Sequence, residues 1–246
     1  MSIYATHPLV EGFPGKSSSH GGFGWSSVWL LDDGERRVLI DAGPPSYIPL
    51  IHYGLADLGL TTADVTDVVL THMHWDHVAN FTMFANAAVW VGERELAWAA
   101  EQPTGTSFIP DLHVQELLRR DDVSRIAPGQ EFLPGIHALD AGGHTPHHLA
   151  YFSERVERPM IFAGDAVKNV FELATGRVDS TLDAAQSAAT VDRLRSLLVD
   201  TAGTLLPGHD VELALVDGDV HRVRAQQARI GYFADGMHGE QDRSIG

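Results

Sequence analysis

The chain has no cysteine among its 246 residues. That absence excludes disulfides, thiolate metal ligands and a cysteine nucleophile, so nitrogen and oxygen must hold any metal. Positive charge is also scarce: 17 Lys and Arg against 33 Asp and Glu leave a formal net charge of −16. Nucleic acid and anionic membrane both need a basic face, and neither is an expected partner. No apolar run approaches the roughly 20 residues of a membrane span. The start, Met1-Ser2-Ile3-Tyr4-Ala5-Thr6, lacks a basic region followed by an apolar one. No signal peptide is therefore expected, and the default location is cytoplasmic. Composition is otherwise that of a soluble globular protein, with 44% hydrophobic residues. A single domain over 1–246 of this size buries about 70–75% of its unfolded surface.

Histidine is abundant, fourteen in all. Four side chains suited to metal binding fall within His72-Met73-His74-Trp75-Asp76-His77, directly after the apolar run Val68-Val69-Leu70. That run reads as a buried strand. If its extended backbone continues, His72 and His74 share a face, because strand residues two apart do. Asp76 and His77 are adjacent and need a turn, which leads into a helix around Val78–Phe84. The two pairs then aim at two neighbouring points. Neutral imidazole and carboxylate suit zinc, and also manganese, iron and cobalt. Two divalent metal ions are implied, zinc being the first choice.

Strand and helix signals alternate along the rest of the chain. Residues 1–22, rich in Gly, Ser and Pro, read as a loop bordering the site. Trp25–Leu31 and Arg37–Asp41 read as a hairpin around Asp32-Asp33-Gly34. Helical spacing covers Tyr47–Leu58, Glu93–Glu101 and Leu182–Leu198. In the last, Leu182, Ala185, Ala189, Leu194, Leu197 and Leu198 are the expected core contacts. Ala88–Val91, Gly135–Leu139, Leu149–Phe152, Pro159–Phe162 and Thr204–Leu206 read as strands, and Asp219–Phe233 as a closing helix. The segment 102–125, irregular at first and helical near Val114–Arg119, is a candidate lid.

Three further candidates stand where strands end in small residues: His144 after Gly142-Gly143, Asp165 after Gly164, and His209 after Gly208. Such turns allow close approach to a ligand cluster, while the preceding strand fixes position.

The series His72-x-His74-x-Asp76-His77, His144, Asp165, His209 resembles the signature of the metallo-β-lactamase-fold metallohydrolases, over roughly residues 22–215. The resemblance implies an α/β fold, a four-layer αββα sandwich with metals on the shared edge of two sheets. It also implies that His72, His74 and His144 bind one metal, that Asp76, His77 and His209 bind the second, and that Asp165 bridges them. Asp165 stands where thiolate-ligated β-lactamases carry cysteine, and the all-nitrogen/oxygen β-lactamases lack a bridging carboxylate. Only 37 residues follow His209, too few for the glutathione-binding helical region of glyoxalase II enzymes. Acidity disfavours the tRNA-processing nucleases, and no flavodoxin domain fits. What remains resembles the N-acyl-homoserine lactonases and related small-lactone hydrolases. Those often have tyrosine three residues past the bridging aspartate, where this chain has Lys168.

The expected reaction is hydrolytic: a hydroxide bridging two metals opens a lactone or cleaves a related carboxylic ester. Zinc lowers the pKa of bound water from roughly 15.7 to about 7, or about 12 kcal/mol, against about 3–5 kcal/mol from a positioned general base. No serine nucleophile is needed. Asp76 is expected to be a ligand that also carries a proton to the leaving group, or a ligand alone. Asp165 is expected to hold the metals together. Lys168 is expected to meet a substrate carboxylate or the developing oxyanion, or else to be a solvated loop lysine. Asp41 is a candidate acceptor for a ligand imidazole N–H. His147 and His148 support the site or lie on the surface. Phe23, Trp25, Trp75 and Phe171 line an apolar acyl pocket or pack in the core. The alternatives are a thioester hydrolase of the same fold and a mono-iron sulfur dioxygenase, which would need only His72, His74 and His144. The expected partner is a small ester or lactone substrate, and a homodimer is compatible with the pattern.

Overall fold

The computed structural model describes residues 3–233 and 240–246. Thirteen strands form two facing sheets. The first sheet contains β1 (Ala5–Val10), β2 (Val28–Asp32), β3 (Arg37–Ile40), β4 (Asp67–Leu70), β5 (Ala88–Gly92) and β6 (Val123–Ile126), side by side in that order. The second contains β7 (Glu131–Leu133), β8 (Ile136–Asp140), β9 (Leu149–Ser153), β10 (Met160–Gly164), β11 (Thr204–Pro207), β12 (Leu213–Val216) and β13 (Asp219–Arg222), again in order. Strands β3 to β6 run parallel, as do β10 and β11, and the other neighbours are antiparallel.

Alternation along the strands sorts apolar residues into layers. Val69 on β4, Phe162 on β10 and Leu206 on β11 point between the sheets, with Val38, Ile40, Ala138 and Tyr151. Their neighbours Val68 and Leu70 face outward to α1 (Ile48–Asp57), and the same outer layer takes in the later helices α3 (Glu93–Ala100) and α4 (Asp111–Arg119). On the far side Ile161, Ala163 and Leu205 meet Leu173 of α5 (Val170–Thr175) and Val191, Leu194 and Leu198 of α6 (Ala184–Thr201). The layers are helix, sheet, sheet, helix, as the motif resemblance implies. The Tyr151 hydroxyl donates to the Leu70 carbonyl at 2.6 Å and ties the sheets together beside the histidines.

Four expectations need correction. The region Asp219–Phe233 is not a helix: it contains β13 and a strand Ala228–Phe233, which pairs with Glu240–Ile245. Asp217 and Gly218, with φ of 53° and 89°, make a tight hairpin turn between β12 and β13, and Asp-Gly is the residue pair that such turns favour. The N-terminal stretch is not all loop, because β1 pairs with β2. Pro8 is tolerated there since β1 is an edge strand. Helix α6 meets its expected phase only in its last turns, where Leu194 and Leu198 are buried and Leu197 packs against them; earlier, Leu182 is 65% exposed, Ala185 and Ala189 are exposed, and Ser187 and Thr190 are buried instead. Thr190 donates to the Gly142 carbonyl at 2.8 Å, and Ser187 bonds Thr181, so this face packs on the turn that carries His144. Finally, the helix after His74 begins at Trp75 rather than Val78: α2 is the single turn Trp75–Val78, followed by a separate 3-10 turn at Phe81–Met83.

Candidate metal centre

The extended backbone does continue past β4, with His74 at φ −74° and ψ 149°. Met73 is fully buried in the outer core, so His72 and His74 turn the other way, towards the space where the two sheets meet. His74 caps α2, and within its one turn Asp76 and His77 are directed to a second point. Three triads have potential ligand atoms within 4.8 Å of one another: His72, His74 and His144; His72, His77 and Asp165; and Asp76, His77 and His209. Residues as far apart in sequence as His72 and His209 thus converge, because β4, β8, β10 and β11 all deliver their ends to one edge.

Asp165 stands between the groups. Its Oδ1 lies 3.1 Å from His77 Nε2 and 3.2 Å from His209 Nε2, while its Oδ2 lies 3.3 Å from His144 Nε2. Asp76 Oδ2 is 3.5 Å from His209 Nε2. The glycines before these ligands make the approach feasible. A Cβ on Gly208 would stand 2.0 Å from Asp165 Oδ1, and one on Gly164, whose φ is +49°, would stand 2.7 Å from Thr71 Oγ1.

A model of the metallo-beta-lactamase superfamily matches residues 21–209, which contain all seven of these side chains. The chain belongs to that superfamily. It is 28% identical over 212 residues to metallo-beta-lactamase domain-containing protein 1 of Xenopus laevis, covering 85% of this chain and 80% of that protein. An N-acyl homoserine lactonase from Bacillus sp is 24% identical over 162 residues, 64% of this chain and 61% of that one. A hydroxyacylglutathione hydrolase of Cupriavidus taiwanensis is 29% identical over 179 residues, 71% of this chain and 59% of its own. Among solved structures, a mutant of AiiA from B. thuringiensis with N-decanoyl-L-homoserine bound superposes with a TM-score of 0.68 at 20% identity, covering 86% and 95% of the two chains.

This superfamily member has the donor chemistry that divalent ions require. Among the described residues His72 Nε2 is buried with no hydrogen-bond partner, and His77 Nε2 and Asp165 Oδ1, though 3.1 Å apart, are buried without a well-aligned hydrogen bond. Each such atom costs about 1–3 kcal/mol unless something satisfies it. Burial pushes His72 and His144 well below the ordinary imidazole range and His74 down to about 4, so this group is neutral and presents lone pairs. At the second group burial also opposes charge, but Asp165, Asp41 and Asp76 outweigh it and raise His77 well above that range. His209 is raised for the same reason, chiefly by Asp165. Burial would raise Asp165, yet chiefly His209 and His77 hold it well below the usual carboxylate range. The donor set fits two dications, which would replace the protons shared in this cluster.

Surrounding groups orient the rings. His77 Nδ1 lies 2.7 Å from Asp41 Oδ2, and Asp41 also accepts from Thr71 N–H at 2.8 Å and from the Thr71 hydroxyl at 2.9 Å. The expected partner role of Asp41 is therefore in place geometrically. His148 is buried, accepts from the Asp165 N–H at 3.1 Å and stacks on His72 at 4.8 Å, whereas His147 is half-buried and apart from the cluster. Asp210, next to His209, is fully buried and receives Arg222 through two bonds of 2.8 and 3.0 Å.

Lys168 is not a free cation. Its Nζ is 2.9 Å from Glu172 Oε1, and its backbone N–H donates to the other oxygen of Glu172 at 2.8 Å. Of the expected apolar residues, Phe23 stacks on Trp25 at 4.3 Å, Trp75 packs against Gly24, and Phe171 is 51% exposed under Arg177. Sequence reasoning missed Phe108, whose exposed ring is 6.0 Å from His74 and whose carbonyl accepts from Trp75 N–H at 3.0 Å. It also missed Glu95 and Arg222. No local signal marks these three, since each acts on residues far away in the chain.

Proposed function

We propose that this superfamily hydrolase is a dinuclear metal-dependent enzyme that opens a lactone or cleaves a related carboxylic ester. The observation that carries the reading is the division of Asp165, one carboxylate oxygen towards His77 and His209 and the other towards His144. His72, His74 and His144 would hold one ion, Asp76, His77 and His209 the other, with Asp165 shared. Two divalent ions, zinc first among the candidates, would supply Lewis acidity and a water acidified to near neutral pH.

The chain's own residues do the rest. Neutral His72, His74 and His144 carry no extra proton, and the one that His144 Nε2 and His74 Nδ1 share at 2.9 Å would move to an outer ring nitrogen when both bind an ion. Asp41 fixes the His77 ring by taking its Nδ1–H and leaves Nε2 facing the site. Asp76 lies at the edge of the cluster with its carboxylate 13% exposed, placed to pass a proton to a departing alkoxide. Lys168 is held by Glu172 beside the site, and an anionic part of the substrate would have to compete with that carboxylate for its Nζ. The exposed Phe108 ring beside His74 offers an apolar surface to the acyl side. Likeness to a lactonase and to a hydroxyacylglutathione hydrolase supports ester-type carbonyl chemistry.

The test is metal stoichiometry by elemental mass spectrometry, followed by a panel of lactones, carboxylic esters and thioesters with and without chelator. Two ions per chain with chelator-sensitive lactone turnover is the expected result. Thioester turnover alone would make it a thioester hydrolase. One iron per chain with oxygen uptake on sulfur substrates would replace the hydrolytic reading altogether.

A further inference from the structure

We propose that Glu95 is a positioning residue for the His72, His74 and His144 group, strapping together the two loops that carry it. The inference rests on the metal-centre reading and deepens it. Glu95 lies on α3, away from the reacting space, and is 1% exposed. Its Oε1 accepts from the Met73 N–H at 3.2 Å, between His72 and His74. Its Oε2 accepts from the Thr145 hydroxyl at 2.9 Å, immediately after His144. The His147 N–H also turns towards it. One loop continues β4 of the first sheet and the other continues β8 of the second. The spacing of the three rings, with centroids 4.6, 4.9 and 4.7 Å apart, therefore depends on how two sheets are held at this edge. A single carboxylate with one oxygen on each loop fixes that spacing directly. Packing alone does not account for it, because an apolar side chain of similar volume would fill the space without the cost of burying a carboxylate.

The experiment compares wild type, Glu95→Ala, Glu95→Gln and Thr145→Val at pH 8. Each chain is stripped of metal, melted in that state, then titrated with zinc against a competing chelator to resolve the two binding steps. Glu95→Ala should weaken one step by about 10–100-fold and leave the other within about threefold. Glu95→Gln should restore most of the loss, since its amide oxygen still accepts from Met73 and its NH₂ can donate to the Thr145 oxygen. Thr145→Val should weaken the same step in the same direction, and it decides the matter if Glu95→Ala does not fold. Equal affinities in Glu95→Ala and wild type, with only the metal-free melt changed, would overturn the strap. So would a Gln variant as impaired as Ala. A wild-type chain that takes up no zinc sinks the metal-centre reading itself. A wild type that loads two ions beside a Glu95→Ala chain that loads them equally well sinks only the strap.

Discussion

Gly208→Ala is the sharpest test of the site geometry. The new methyl carbon would sit 2.0 Å from Asp165 Oδ1 and 2.9 Å from both the carbon and oxygen of the Gly164 carbonyl. Real Cβ contacts essentially never fall below 3.0 Å, so the carboxylate oxygen must retreat by at least about 1 Å or the backbone must yield. The backbone is held on both sides. Gly208 N–H donates to the Gly164 and Val167 carbonyls at 2.9 and 3.1 Å, and its own carbonyl accepts from Ser27 N–H at 2.7 Å. The retreat would carry Oδ1 off His77 and His209, which it approaches at 3.1 and 3.2 Å. Overpacking of this kind costs about 1–3 kcal/mol, and each kcal/mol lowers the melting temperature by about 2–4 °C in a chain of this size. A misplacement of about 1 Å can cost roughly a hundredfold in turnover. Zinc per chain, a thermal melt and ester or lactone turnover should therefore all fall together. Gly22→Ala is the control, because a Cβ there meets nothing within 4 Å. A Gly208→Ala protein with two tightly held ions and turnover within threefold of wild type would refute the described contact.

Two further outcomes are expected. Burial holds the Glu95 carboxyl up at about 7, against 4.5 for an ordinary glutamate. Below pH 4.5 both folded and unfolded metal-free chains hold that proton. As pH rises towards 7 the unfolded chain releases it first, so the fold loses about 3 kcal/mol across this window. Urea unfolding of metal-free wild type and Glu95→Gln should show the variant gaining by about that amount between pH 4.5 and 7, and a constant difference would contradict the burial argument. Lys168→Ala should raise KM for acidic esters while leaving neutral ones nearly unchanged; equal effects on both would remove its carboxylate role.

Much of the layered fold was legible because alternation is local. Val68, Val69 and Leu70 announce a strand buried on both faces, and His72 and His74 inherit its two-residue period whatever lies opposite. Four candidate ligands could likewise be named from their clustering between His72 and His77, whereas His144, Asp165 and His209 stood out only as an ordered series at strand ends that resembles a known signature. Helix α6 shows where periodicity stops being informative. Its apolar residues suggest one face, but Thr190 turns inward to donate to the Gly142 carbonyl and Ser187 to meet the Thr181 hydroxyl. A polar side chain's burial depends on what stands across from it, which is not written in its own segment. The closing helix failed for a related reason: Asp217-Gly218 reverses the chain, and pairing with β12 then outweighs helical spacing. The sequence by itself singled out the candidate ligands and the strands that precede them. Only the tertiary structure decided that Asp165 divides its oxygens between two histidine groups, that Glu172 engages Lys168, and that Glu95 reaches two loops at once. Each of these depends on ångström distances between elements that hydrophobic burial brings together from remote parts of the chain.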